Sequence, residues 1–291
     1  MNPLDLVKLT ALMEHTSGRP EIIVGLLDGP VATDHPDLVG EHIREVPGGP
    51  HGICRHANSA ACMHGTFVAG ILSAKRGSPT PAICPNCTLL VSPIFKELPS
   101  GNGPLPSATP EELAAAIIAC IDAGTRVINL SLALAQPSAK KEQELEEALN
   151  QAVWRGVIVV AAAGNQGTLG SSAITRHPSV IPVVAFDRQG RPMSQSNLGK
   201  SIGRRGLGAP GDAITSLGAG GQPLTFGGTS VAAPFVTGTI ALLWSEFPNA
   251  TATQIKLAVT QAAAPRRTTV VPPLLNAWAA YQYMATVCVR R

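Results

Sequence analysis

Five short segments read as strands, at 22–27, 88–95, 126–131, 157–162 and 180–186, the first two as apolar runs. The first, Ile-Ile-Val-Gly-Leu-Leu, is continuous, not alternating, and it ends in Asp28-Gly29-Pro30. Such a run predicts a strand buried on both faces that presents a residue at its C-terminal end. Helical patterns lie between the runs. Thr109, Pro110 and Glu112 predict a capping box that opens a helix ending at Gly124. A helix with one charged face is predicted over about 139–155, closed by Gly156. A long apolar helix is predicted from about Thr229 to Ser245, another opening at Thr251, and a last one from about Leu274 to Thr286. Strands alternating with helices give the rhythm of right-handed βαβ crossovers around a mainly parallel sheet, an α/β fold with helices on both faces.

No internal repeat and no linker interrupts this pattern. The Pro- and Gly-rich stretches at 47–52 and 99–110 read as surface loops. One domain over 1–291 is expected, with its core at about 20–265. In open parallel sheets, ligands bind outside the carboxyl ends of the strands. Asp28, Ser131 and Asn165 all fall at such ends, which already suggests a single site.

Composition narrows the function class. Hydrophobic residues make up 45% of the 291 and charged residues 14%, as expected of a folded globule. A formal charge of +3 is too small to imply a nucleic-acid partner or a membrane surface. No apolar run reaches the ~18 residues of a membrane span. The first twenty residues carry Asp5, Lys8, Glu14 and His15 and lack a secretory pattern, so a cytoplasmic location is expected. Lys200, Arg204 and Arg205 form a small basic cluster, read either as a solvated loop or as a contact for an acidic substrate. Six cysteines stand at 54, 62, 84, 87, 120 and 288. Cys120 reads as helix packing. Cys84-Pro-Asn-Cys87 has redox or zinc spacing, with Cys54, Cys62, His51 and His56 near enough in sequence to complete a metal set. Disulfides among Cys54, Cys62, Cys84 and Cys87, or free thiols, are the competing readings, and a cytoplasmic location weighs against the former.

Four segments carry the chemistry: Asp28-Gly29-Pro30 with Asp34-His35-Pro36-Asp37 close behind, His64-Gly65-Thr66-Phe67-Val68-Ala69-Gly70, Ala163-Gly164-Asn165-Gln166-Gly167, and Gly227-Gly228-Thr229-Ser230-Val231-Ala232-Ala233-Pro234. Each alone has an ordinary structural explanation, such as a capped turn, a satisfied core histidine or a helix start. Together, the order Asp, His, Ser is one of the known chain orders of hydrolase triads. With these blocks in place the chain resembles the subtilisin-like serine proteases of the S8 family over about 20–265. The resemblance implies a three-layer subtilisin-like fold and a serine endopeptidase. Ser230 would be the nucleophile, His64 the general base and Asp28 the group orienting that base. Asn165 would donate into the oxyanion hole with the Ser230 N–H. Ser131, Leu132 and Ala133 would line one side of the primary specificity pocket and Gly164 the other.

Two departures stand out. Gly29-Pro30 follows the aspartate where many family members have Thr or Ser, and Phe67 replaces a second histidine. Phe67 is expected to pack behind the His64 helix. Asp-Gly-Pro followed by His-Pro, together with Cys87-Thr-Leu-Leu-Val-Ser-Pro-Ile-Phe95, is similar to the maturation proteases of cyanobactin-type ribosomal peptides, the patellamide-processing group. That likeness implies a precursor peptide as substrate. The first strand begins close to residue 20, with no room for the usual inhibitory prodomain and no signal peptide expected. The 35 residues between Asp28 and His64 show little helical periodicity, so the helical lid of macrocyclising relatives is not expected. A general degradative subtilase, a macrocyclase and an inactive peptide-binding scaffold are the alternatives. No EF-hand pattern or carboxylate cluster suggests a metal, and no cofactor motif is seen.

Overall fold

The computed structural model describes residues 2–38, 42–49, 52–97, 108–131, 139–261 and 269–289. Its centre is a parallel sheet in the order β2-β3-β1-β4-β5-β6-β7. These strands are β1 (Ile23–Asp28), β2 (Ile43–Glu45), β3 (Thr88–Pro93), β4 (Val127–Leu130), β5 (Ile158–Ala162), β6 (Ile181–Phe186) and β7 (Leu207–Pro210). A short antiparallel pair, β8 (Ile214–Ser216) and β9 (Leu224–Phe226), stands apart.

Strand pleating sorts the side chains into two layers of core. On β1, Val24 and Leu26 face one layer and Leu27 the other; on β5, Ile158 and Val160 oppose Val159 and Ala161. The first layer holds helices α3 (Ala60–Ser73) and α8 (Thr229–Glu246). The second holds α4 (Pro110–Asp122) and α5 (Ala139–Trp154). The predicted three-layer arrangement is therefore present, and α4 starts at the expected capping box, with Thr109 accepting from the Glu112 N–H.

The N-terminal segment supplies two short helices that the sequence reading left unassigned, α1 (Pro3–Leu6) and α2 (Leu9–His15), with Leu9, Leu12 and Met13 buried. Helix α6 spans Ala173–Arg176. The basic cluster is not a loop but helix α7 (Lys200–Arg205), because Ile202 and Gly203 are buried beneath it. Helix α9 (Ala252–Gln261) follows α8, and the last helix, α10, runs over Ala277–Val289, three residues later than expected at its start. Among the described residues no helix is long and apolar enough to cross a membrane.

The cysteine alternatives separate. Cys54 and Cys62 form a disulfide, which ties the segment before α3 to its first turn. Cys84, Cys87 and Cys120 are buried thiols and Cys288 is exposed. Cys54 and Cys62 lie near Glu97, whose Oε1 accepts the N–H groups of Arg55 and His56 at 2.9 and 2.8 Å, but as a disulfide they offer no thiolate to a metal.

Candidate active site

Asp28 closes β1 at the carboxyl edge of the sheet and is fully buried. Its Oδ1 accepts from the Gly29 N–H at 2.6 Å and faces His64 Nδ1 at 2.7 Å. His64 sits in the second turn of α3 and is 5% exposed. Its Nε2 lies 3.0 Å from Ser230 Oγ. A carboxylate can only accept, so Nδ1 carries the proton and Nε2 presents its lone pair to the serine hydroxyl. Burial alone would lower the His64 pKa, but the Asp28 charge and its hydrogen bond outweigh burial and raise it above 6.5.

Close approach of β1 and α3 depends on two glycines. A Cβ on Gly29 would lie 2.0 Å from the Ala61 carbonyl oxygen, and one on Gly65 would lie 2.3 Å from the Gly29 carbonyl oxygen. The departure at Gly29 is thus matched by a helix that sits against the strand end with no room for a side chain. Gly29→Thr is expected to push α3 away, costing roughly 1–3 kcal/mol of stability and at least tenfold in turnover. Thermal unfolding and kcat together check this. Phe67, on the same helix, is fully buried, and its ring centroid lies 4.8 Å from that of Phe226.

Ser230 is the second residue of α8. Pro234, four residues on, has no N–H to offer the Ser230 carbonyl, as an ordinary helix residue would. The vacancy is filled from β4. Ser131 Oγ donates to the Ser230 carbonyl at 3.0 Å, Asn129 Nδ2 donates to Ser131 Oγ at 2.6 Å, and Thr237 Oγ1 donates to Asn129 Oδ1 at 2.8 Å. This buried relay fixes the backbone of the serine. Ser131, expected at the strand end and along the specificity pocket, has its side chain turned inward onto α8 and is 1% exposed.

Asn165 follows β5 and is exposed at the same rim. Its Oδ1 accepts from the Thr229 N–H at 2.9 Å and the Thr229 hydroxyl at 3.0 Å. The carbonyl end is therefore pinned, and among the described residues Nδ2 has no hydrogen-bond partner, which leaves its two N–H bonds for a ligand. The Thr229 hydroxyl in turn accepts from the Gly164 N–H at 3.1 Å. The sequence marks Thr229 as a helix start within the Gly-Gly-Thr-Ser block; its part as an anchor is visible only once the two loops meet. Leu132 and Ala133 lie outside the described residues. His35, the other histidine near Asp28, accepts the Asp37 N–H through Nδ1 at 3.1 Å and shapes a turn.

The subtilase family model matches residues 19–277. The chain is 32% identical over 245 residues to a thermostable alkaline protease of Halalkalibacterium halodurans, covering 82% of this chain and 61% of that protein. It therefore spans under two thirds of that relative's length. Subtilisin DY of Bacillus licheniformis is 30% identical over 259 residues, with 87% of each chain covered. Among solved structures, a mutant of the protease domain of PatA superposes with a TM-score of 0.80 at 29% identity, over 93% of this chain and 97% of that one. The prenylagaramide maturation protease PagA gives 0.81 at 28% identity, over 94% and 98%. With the family model spanning most of the chain and the relatives agreeing, the chain belongs to the subtilase family.

Proposed function

We propose that the protein is a serine endopeptidase that cleaves peptide bonds through an acyl-enzyme, and that its substrate is a ribosomal precursor peptide. The observation that carries the catalytic reading is the relay of Asp28 Oδ1, His64 Nδ1 at 2.7 Å, and His64 Nε2 to Ser230 Oγ at 3.0 Å. Ser230 Oγ attacks the scissile carbonyl as His64 Nε2 takes its proton. Asp28 holds the tautomer and stabilises the imidazolium. The developing oxyanion meets the Asn165 amide and the Ser230 N–H at the start of α8. The proton then passes from His64 to the leaving amine, and a water deprotonated by His64 frees the acid from Ser230.

Removing the oxyanion donor tests the Asn165 role. Asn165→Ala is expected to lower kcat by ~10²–10³, the range measured for the corresponding kind of donor in subtilisin itself. Thr229→Val keeps the shape but removes one of the two bonds pinning Asn165, so a loss of about tenfold with little change in KM is expected. Steady-state kinetics on both variants separate the donor from its anchor.

The raised His64 pKa sets the acid limb. Protonated imidazole cannot act as base, so kcat/KM is expected to fall as pH drops through a midpoint above 6.5, the ordinary histidine value. A pH–rate profile flat down to about 5 would contradict this.

The precursor-peptide reading draws support from the likeness to the PatA protease domain and to PagA, whose name is that of a maturation protease. Hydrolysis is favoured over cyclisation because no α-helix lies among the described residues between Asp28 and Ala60. Digestion of a mixed peptide library, followed by fragment sequencing, tests the substrate claim. Cleavage confined to one sequence context supports a dedicated substrate, and indiscriminate cleavage, as of casein, supports a degradative role instead.

A further inference from the structure

A cavity of about 900 Å³ opens at the end of the sheet remote from Ser230. It lies beside Val157 and Ile158, where β5 begins, whereas Asn165 lies beyond its far end. The five residues of β5 put roughly 15 Å between the two. Volumes of ~300–1,000 Å³ are those of small-molecule sites.

The chemistry of the lining is uneven. Arg204 and Arg205 enter from α7 and Lys256 from α9, and no carboxylate is among the described lining residues. Two of these cations are held in place by backbone carbonyls. Lys256 Nζ donates to the Ser179 carbonyl at 2.6 Å and the Pro178 carbonyl at 3.4 Å, which leaves one of its three protons unused. Arg205 Nη2 donates to the carbonyls of Arg176 and Thr175 at 2.9 and 3.2 Å. Its Nε is buried and has no partner, a costly state for a charged donor. Helix α9 lines the cavity along its whole length, from Ala252 and Thr253 to Thr260 and Gln261, so its dipole adds no net charge there and the positive character comes from the side chains.

His177 does not supply the missing negative charge. Ser179 lies 2.6 Å from its Nδ1 and Asn150 Oδ1 lies 3.3 Å from its Nε2, an arrangement that suits the neutral ring. Burial lowers its pKa; Glu146 opposes this, while Lys256 and Arg205 add to it. Glu146 and Glu142 line a neighbouring cleft with Arg176, and Glu142 is paired with Arg176. Val153, Val157, Ile158 and Leu257 form an apolar part of the remaining wall, beside the polar Asn150, Thr260 and Gln261.

We propose that this cavity binds a small organic oxyanion, its phosphate or carboxylate head facing Arg204, Arg205 and Lys256 and its apolar body lying on Val153, Val157, Ile158 and Leu257. An oxyanion would take up the third Lys256 proton and the exposed Arg204 guanidinium at once, in charge-assisted bonds. The basic cluster that stood out in the sequence thereby gains a ligand, at a site separate from the triad.

Burial first, and then Arg205, lower the Lys256 pKa to about 8. A bound anion would restore the charged form, so binding near pH 8 should take up protons. Calorimetric titration of the full chain with phenyl phosphate, benzoate and inorganic phosphate tests the site. Phenyl phosphate or benzoate is expected to bind saturably, tighter than inorganic phosphate, with a heat that changes with the ionisation enthalpy of the buffer. The two aromatic probes decide between a phosphate and a carboxylate head. Lys256→Gln combined with Arg204→Gln should weaken binding at least tenfold while leaving Ser230 labelling by a fluorophosphonate unchanged. If the double variant does not fold, Arg204→Glu alone, on the exposed face of α7, should give the same loss. No saturable heat with any probe, or wild-type affinity in the variants, would overturn the proposal. Equal binding of inorganic and phenyl phosphate would overturn its apolar half.

Discussion

Ser230→Ala is expected to remove turnover by on the order of 10⁶-fold while leaving the fold intact, a loss of the size known for the serine of subtilisin, a relative of this chain. The reasoning is geometric. Among the described residues Ser230 Oγ makes no bond that holds α8 in place; its hydrogen bond there is with His64 Nε2 at 3.0 Å. The backbone of Ser230 is secured independently, through its carbonyl and Ser131. Thermal unfolding should therefore be nearly unchanged, and kcat alone should collapse. A variant that keeps even a hundredth of the activity would mean that the hydroxyl is not the attacking group.

Asp28→Asn is expected to lower kcat by about 10⁴, as the equivalent change does in serine proteases of a different fold. Asp28 Oδ1 meets both the Gly29 N–H and His64 Nδ1. An asparagine keeps that shape but lacks the charge that stabilises the imidazolium. The same substitution removes the Asp28 charge, the larger of the two influences that raise the His64 pKa, and weakens the hydrogen bond that adds to it, so burial then lowers it. The acid limb of the residual activity should thus move to lower pH. A loss of rate without that movement would indicate damage to the site in place of a lost carboxylate.

The strands that hold the site were the readable part of the sequence. β1, β3, β4, β5 and β6 are buried on both faces, so their segments are largely apolar and do not alternate, with Asn129 the polar residue inside β4. β2 has only three residues at the sheet edge, with Arg44 exposed, and gives no run to detect. β7, Leu-Gly-Ala-Pro, occupies the opposite edge, where a proline does not break a ladder and strand formers are not required. Helices α1 and α2 are too short for a period to declare itself.

Within the site, the triad was legible because its residue types and order are constrained by the chemistry. The supports were not. Ser131 reaches Ser230 across 99 positions, and Thr237 reaches Asn129 across 108. Nothing local marks either pair. Pro234 is a partial exception, since its missing N–H announces that the Ser230 carbonyl needs a donor, though not which residue supplies it. Gly29 read as a departure from its relatives, and only the carbonyl of Ala61 pressed against it explains why.

Active-site labelling followed by peptide mapping puts the central claim to its most direct test. Native protein exposed to a fluorophosphonate should carry one adduct, on Ser230, and protein unfolded beforehand in denaturant should carry none. An unlabelled native protein, or an adduct on another hydroxyl, would contradict the account.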